Sequence, residues 1–273
     1  MMLSGNLGFI GGGRMGEALI QGILKSGIIK AENILVTDPV AERRAYLTES
    51  YGVKTFDSSE DENVWSNCTT VILAVKPQIM KDVLQATKNS VNNSHLLISI
   101  AAGIKSSFID TNLSGSNCRI IRVMPNTPAF VLEAISALSG GPRVTQEDMD
   151  TAVTIFESIG KSVVLDEKYF DAVTGLSGSG PAYVFTFIEA LIDGGEKVGL
   201  NKSDAELLAM QTVLGSVKLA MSSKETPAQL RAMVTSPGGT TIAGLHELEA
   251  AGFNTIIMDA IKAATEKSKE LGK

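Results

Sequence analysis

Short apolar runs and helical stripes alternate along the first half of the chain. Leu7-Gly8-Phe9-Ile10 reads as a strand that Gly11-Gly12-Gly13 breaks. Met15, Ala18, Leu19, Ile23 and Leu24 then recur at the 3.6-residue period of a helix. Ile34-Leu35-Val36 is the next strand, and it runs into Asp38-Pro39, where Pro39 suits the first turn of a following helix. Val71 to Val75 is apolar at every position, as a strand covered on both faces should be. Leu96–Ile100, Arg119–Val123 and Ser162–Leu165 continue the series. Strands alternating with helices predict an α/β domain with a doubly wound parallel sheet over residues 1–166.

Beyond Asp166 no strand pattern follows. Pro181–Val198, Ser203–Met221, Pro227–Val234 and Asn254–Leu271 carry apolar stripes at helical spacing, so residues 167–273 are expected to form an all-α domain. Ser203 with Glu206 reads as a capping box. Val184, Phe185, Phe187, Ile188, Leu191 and Ile192 give one helix more apolar surface than water tolerates, so it must bury this against the first domain or another subunit.

Composition narrows the partners. A net charge of −6, with no Lys/Arg run longer than Arg43-Arg44, argues against nucleic acid. With only Cys68, Cys118, His95 and His246, neither a structural zinc site nor a disulfide framework is expected, and the thiols read as reduced core residues. Met1-Met2-Leu3-Ser4-Gly5 lacks the basic start of a signal peptide. The longest apolar run, Leu96 to Ile104, falls far short of the ~20 residues of a membrane span. A cytoplasmic protein without membrane partners is the expectation.

Gly11-Gly12-Gly13-Arg14-Met15-Gly16 fits G-x-G-x-x-G between a strand and a helix, the Rossmann-type arrangement. There Gly11 permits the tight turn, Gly13 lets a pyrophosphate approach the backbone, and Gly16 allows close helix–sheet packing. The helix start offers free N–H groups to the phosphates. Asp38 follows at the spacing, about 20 residues, where an acid takes the adenosine ribose hydroxyl and favours NAD. Arg43 and Arg44 are placed to pair with a 2′-phosphate instead, and Asp38 could equally be a turn residue before Pro39, so NAD(H) and NADP(H) both stay open.

Further segments lie at strand ends or helix starts: Ala74-Val75-Lys76-Pro77, Ser99-Ile100-Ala101-Ala102-Gly103, Val123-Met124-Pro125-Asn126-Thr127-Pro128, Thr174 to Tyr183 with its Gly-Ser-Gly-Pro-Ala-Tyr, and Ser236-Pro237-Gly238-Gly239-Thr240-Thr241. In this order, over essentially the whole chain, they resemble pyrroline-5-carboxylate reductases, which use NAD(P)H to reduce L-1-pyrroline-5-carboxylate to L-proline at the end of proline biosynthesis. Gly16, where family members often carry alanine, departs little. Asp38 departs more, since members preferring NADPH tend to place small polar or basic residues there.

The coenzyme set expected is Ile10, Gly11, Gly12, Gly13, Arg14, Met15, Gly16, Thr37, Asp38, Ala74, Val75, Lys76, Pro77, Ala101 and Ala102. Asn126, with Lys76, ends a strand at the crevice where ligands bind, although Pro77, Pro125 and Pro128 could be plain strand terminators. Gly238-Gly239-Thr240-Thr241 reads as a carboxylate trap of backbone N–H groups or as a helix start capped by Thr. The resemblance implies the trap, with Ser236, Gly238, Gly239, Thr240, Thr241, Ser179 and Gly180 around the substrate. It also implies that the Thr241 hydroxyl serves the ring nitrogen as the catalytic group, with no metal, and that the helical domain forms a homodimer or a larger homo-oligomer built from it. His246 reads as a surface or packing residue.

Competing readings are another imine or β-hydroxyacid oxidoreductase of the same plan, or a coenzyme-sensing module without chemistry. The β-hydroxyacid class wants a lysine on the first long helix after the junction, and there Lys197 stands only at the far end.

Overall fold

Eight strands form one sheet: β1 (Asn6–Ile10), β2 (Ile34–Thr37), β3 (Lys54–Phe56), β4 (Cys68–Leu73), β5 (Leu96–Ser99), β6 (Arg119–Met124), β7 (Ala134–Gly140) and β8 (Gly160–Val164). Their order in this computed structural model is β3-β2-β1-β4-β5-β6-β7-β8, every pairing parallel except β6 with β7. The structure describes residue 3 and residues 5–272. Met1, Met2 and Ser4, part of the segment read as lacking a signal peptide, lie outside the described residues, as does Lys273.

The helices are α1 (Arg14–Ser26), α2 (Ala41–Tyr51), α3 (Glu62–Asn67), α4 (Met80–Thr87), α5 (Ser106–Asn112), α6 (Gln146–Glu157), α7 (Phe170–Val173), α8 (Gly180–Lys197), α9 (Lys202–Ser222), α10 (Pro227–Met233), α11 (Thr240–Ala250) and α12 (Phe253–Leu271). Among the described residues no helix is long and apolar enough to cross a membrane.

Alternation along the strands divides the core between the two faces of the sheet. Leu7, Phe9, Ile34, Val36, Ile72, Leu96, Ile98, Ile121 and Val123 share one cluster with Leu19, Ile20 and Ile23 of α1 and with Ile155 and Phe156 of α6. Leu35, Val71, Leu73, Leu97 and Ile120 belong to a second cluster with Val64 and Trp65 of α3, Met80 and Leu84 of α4 and Ile109 of α5. A sheet covered on both faces needs apolar residues at consecutive positions, which is why these strands read as continuous apolar runs. The doubly wound reading holds.

Two strands escape the apolar pattern. β7, Ala-Ile-Ser-Ala-Leu-Ser-Gly, is built of small residues with weak strand preference and makes the one antiparallel junction. β3 is three residues long at the sheet edge. β4 ends at Leu73, so Ala74 and Val75 lie past it, although the Ala74 N–H still donates to the Ile10 carbonyl at 2.8 Å. Two helix starts also differ from expectation. Pro39 precedes α2, whose N-cap is Val40. Asn201, not Ser203, caps α9, accepting from the Asp204 N–H at 3.0 Å; Asn is as good an N-cap as Ser, and it comes first.

Beyond β8 every regular element among the described residues is helical. The chain divides into two units, Met1–Gly178 with Ala264–Lys273, and Ser179–Ala263. In the second, α8 packs on α9, the Phe187 and Phe253 rings meet at 6.2 Å, and few side chains are buried.

In the first unit a buried charge is matched. Arg122 of β6 is 4% exposed, stacks over the Phe170 ring at 4.8 Å, and pairs with Glu167 at 3.1 Å. Glu167 also accepts the Ser106 N–H at 2.8 Å and the Ser106 hydroxyl. Partial burial works to raise the Glu167 carboxyl, but the Ser106 donors and Arg122 hold it below the ordinary value of 4.5. A depressed folded-state value means stability present above pH 4.5 and lost as the pH falls through the folded value. Glu167→Gln should therefore cost about 3 kcal/mol at pH 7, by leaving the Arg122 charge buried without its partner. In urea unfolding across pH the gap from wild type should narrow below pH 4.5, and a constant gap would contradict this.

Candidate active site

The carboxyl ends of β1, β2, β4, β5 and β6 lie side by side in parallel register, so the loops after them share one edge of the sheet. That edge gathers Ile10 to Gly16, Thr37 and Asp38, Ala74 to Pro77, Ala101 and Ala102, and Asn126.

The glycine turn shows why each glycine stands where it does. Gly11 has φ +103°, and a Cβ there would sit 2.8 Å from the Ala74 carbonyl oxygen. Its N–H donates to the Thr37 carbonyl at 2.9 Å, tying the turn to β2. A Cβ on Gly16 would come 2.8 Å from the Gly11 carbonyl oxygen, so α1 begins in close contact with the turn. Gly13 is different: nothing lies within 4 Å of a Cβ there. Packing does not demand that glycine, whereas a ligand approaching the backbone would. Gly13 is also the N-cap of α1, and no side chain caps it. The Glu17 N–H is satisfied by the Gly13 carbonyl at 2.9 Å, which leaves the N–H groups of Arg14, Met15 and Gly16 without helical partners. An open, uncapped helix start suits a dinucleotide pyrophosphate.

Gly12 is held from both sides. Its N–H donates to Asp38 Oδ2 at 3.0 Å, and its carbonyl accepts from Arg43 Nε. Asp38 Oδ1 accepts the Val40 N–H at 3.0 Å, and the Asp38 carbonyl accepts from Arg44 at 2.8 Å. The turn reading of Asp38 is seen here: its carboxylate closes the turn before α2 and also braces the glycine loop. Arg43, offered from sequence as a 2′-phosphate partner, is spent on Gly12 and on Glu17.

Lys76 is exposed and Pro77 opens a short 3-10 turn, Pro77–Ile79; Ala101 is buried and Ala102 exposed. Asn126 is 9% exposed and its amide is engaged: Oδ1 accepts the Ile135 N–H at 3.1 Å, and Nδ2 donates to the Ser177 carbonyl at 3.1 Å. Ser177 belongs to a π-helical segment, Thr174–Gly178, a form frequent at functional sites. Sequence reading singled out Thr174 to Tyr183 but not its π-helical form, for which the only local signal is the pair Gly175 and Gly178. Asn126 thus anchors the backbone just ahead of Ser179.

In the second unit Ser179 and Gly180 open α8 and Ser236 to Thr241 open α11. Ser179 is the N-cap of α8, yet its hydroxyl makes no cap bond. Gly238 has φ +71°, the Gly239 N–H donates to the Ser236 carbonyl at 3.0 Å, and a Cβ on Gly239 would lie 2.4 Å from Ser236 Oγ. Gly239 is the N-cap and no side chain caps it, so Thr240 and Thr241 are the first helical residues rather than caps. The α11 start thus leaves backbone N–H groups open to an anion, and Thr241 stands half-buried beside them. His246 is exposed on α11, whereas His95 is buried, its Nδ1 accepting the Asn92 N–H and its Nε2 meeting the Trp65 carbonyl at 3.0 Å. Cys68 and Cys118 are buried and unbridged; burial pushes the Cys68 thiol up to about 12.

Residues 167–271 match the family model for pyrroline-5-carboxylate reductase dimerisation, and residues 6–103 that for NADP oxidoreductase, coenzyme F420-dependent. The pyrroline-5-carboxylate reductase of Methanosarcina acetivorans is 45% identical over 98% of both chains. The solved pyrroline-5-carboxylate reductase of Coxiella burnetii is 35% identical and superposes with a TM-score of 0.93 over 99% of this chain and 100% of that one. The pyrroline carboxylate reductase of Plasmodium falciparum, solved with NADP bound, is 37% identical and gives 0.89 over the whole of both.

Asp38→Asn removes the charge and keeps one acceptor oxygen, so it also gives up one of the two bonds that the carboxylate accepts from the Gly12 and Val40 N–H groups. It should raise kcat/KM with NADPH relative to NADH about tenfold, the scale of one charge beside a phosphate. A ratio that does not move would assign Asp38 to the turn alone.

Proposed function

This chain belongs to the pyrroline-5-carboxylate reductase family, and on that footing we propose how its residues divide the reduction of L-1-pyrroline-5-carboxylate to L-proline. It is an NAD(P)H-dependent oxidoreductase acting on a cyclic C=N bond. In this reading residues 1–166 hold the coenzyme, in the cytoplasm, and residues 167–273 supply the substrate site and the contact with a second copy.

When bound, the dihydronicotinamide supplies the hydride that reduces the imine carbon. The backbone N–H groups of Gly13 to Gly16 hold the coenzyme pyrophosphate, with Ile10, Thr37, Asp38, Ala74 to Pro77, Ala101 and Ala102 lining the rest. The observation that carries the substrate assignment is the uncapped start of α11 behind Gly238 and Gly239. A carboxylate there meets several N–H donors and the positive end of the helix, with no cationic side chain required. Thr241 directs its hydroxyl to the ring nitrogen, which arrives protonated or takes its proton from water. Ser236, Thr240, Ser179 and Gly180 are the other substrate residues of this reading, and Asn126 holds the backbone at Ser177. Such a reaction needs no histidine, and this chain offers only one that is exposed.

A homodimer is supported by the helices themselves. No residue of α8, α10 or α11 is buried, and Phe185 is 65% and Met221 74% exposed. Surface of this kind is stable in water only when covered.

Steady-state oxidation of NADPH and of NADH by L-1-pyrroline-5-carboxylate should yield L-proline with both coenzymes, and absence of turnover with either would sink the reading. Thr241→Val keeps shape and removes the hydroxyl, so kcat should fall about tenfold, the usual scale for one hydrogen bond to a reacting group. Unchanged kinetics would remove Thr241 from the mechanism. Gly239→Val, which crowds Ser236 as well as the carboxylate, should raise KM for the imine while coenzyme affinity holds. Light scattering at micromolar concentration should find a dimer or a multiple of it; a monodisperse monomer would contradict the interface.

A further inference from the structure

We propose that Glu17 is a positioning residue for the coenzyme: its carboxylate locks Arg43 onto the glycine turn and so aims the Gly13 N–H at the pyrophosphate. The inference rests on the reading of the turn as the pyrophosphate cradle.

Glu17 lies in the first turn of α1. Its Oε2 accepts from Arg43, while Oε1 accepts the Tyr46 hydroxyl at 2.8 Å and the Tyr51 hydroxyl at 2.8 Å. The Arg43 guanidinium lies over the Tyr46 ring at 5.0 Å, and the two tyrosine rings meet edge to face at 6.3 Å. Three donors converge on one carboxylate, and they belong to successive turns of α2, which otherwise buries only Leu47. Partial burial works to raise the Glu17 carboxyl, but Arg43, Tyr46 and Tyr51 hold it low, so it stays an acceptor.

Arg43 reaches from this cluster to the Gly12 carbonyl through Nε and to the Gly13 carbonyl, at 3.4 Å, through a terminal nitrogen. In a trans peptide the C=O and the next N–H point in opposite directions. Fixing the Gly12 carbonyl toward α2 therefore turns the Gly13 N–H away from α2. Gly13 is exposed, and nothing would meet a Cβ on it. Between two glycines a peptide plane flips cheaply, since neither residue has a Cβ to oppose it. Side chains must choose the orientation. Asp38 on the Gly12 N–H sets the Gly11–Gly12 plane, Arg43 on the Gly12 carbonyl sets the Gly12–Gly13 plane, and Glu17 decides where Arg43 stands. Arginine suits the place because its planar fork presents donors in fixed directions to the Gly12 and Gly13 carbonyls and to Glu17.

The test titrates the full-length protein with ADP-ribose, which has the pyrophosphate but no 2′-phosphate, and with NADP⁺, by calorimetry. Glu17→Ala and Arg43→Ala should each weaken both ligands about tenfold, the worth of one charge-assisted hydrogen bond. The double variant should bind as weakly as Arg43→Ala alone, because Glu17 acts through Arg43. Tyr46→Phe, which removes a single exposed hydroxyl, should cost two- to threefold and covers the case in which a larger change unfolds the chain. Three results would overturn the proposal: additive losses in the double variant, a loss confined to NADP⁺ that would make Arg43 a direct 2′-phosphate ligand, or a lowered unfolding midpoint with unchanged affinities. Wild-type protein that does not bind ADP-ribose would instead fail the coenzyme reading and this inference with it.

Discussion

Every α-helix begins with N–H groups that have no partner within it, and this chain closes some of its helix starts with side chains and leaves others open. Helices α6 and α10 close theirs with capping boxes, Thr145 with Asp148 and Thr226 with Gln229, and α9 uses Asn201. The starts of α1, α8 and α11 carry no side-chain cap. Lack of a cap is not peculiar to them, since α2, α4 and α5 share it. Each of the three has a glycine at or beside the cap, which keeps the approach to the backbone clear. In the function proposed above, the substrate carboxylate and the coenzyme pyrophosphate take two of these starts.

This dependence on backbone explains the scarcity of conventional catalytic side chains. An imine that arrives protonated needs hydride delivered at the right distance and an acceptor for its N–H, so positioning replaces acid–base work. Side chains act one step back. Asp38 and Arg43 hold Gly12, Glu17 holds Arg43, and Asn126 holds the π-helical segment before α8. The charges near the cradle are thus largely committed to the protein's own backbone.

Much of this was legible in the sequence because its causes are local. Continuous apolar strands, the glycine turn and the stripes of α8, α9, α10 and α12 announced a doubly wound sheet followed by helices. β7 stayed hidden because Ala, Ser and Gly carry little strand signal, and its place is set by pairing with β6 and β8. The same holds at the site. Gly11 and Gly238 were readable as glycines that a turn requires, but the Glu17–Arg43 link joins residues 26 apart, and no spacing rule foretells it. Arg43 read as a free cation for that reason, and Asn126 as a ligand-facing amide when its amide is tied to Ile135 and Ser177.

The central claim is that two glycine-led helix starts bind the two anions of the reaction. A crystal structure of the ternary complex with NADP⁺ and L-proline tests it most directly. The account predicts the proline carboxylate on the backbone N–H groups at the start of α11, with its ring nitrogen at the Thr241 hydroxyl, and the pyrophosphate on Gly13 to Gly16. A carboxylate held by a lysine or arginine side chain, with the α11 start facing only solvent, would contradict it.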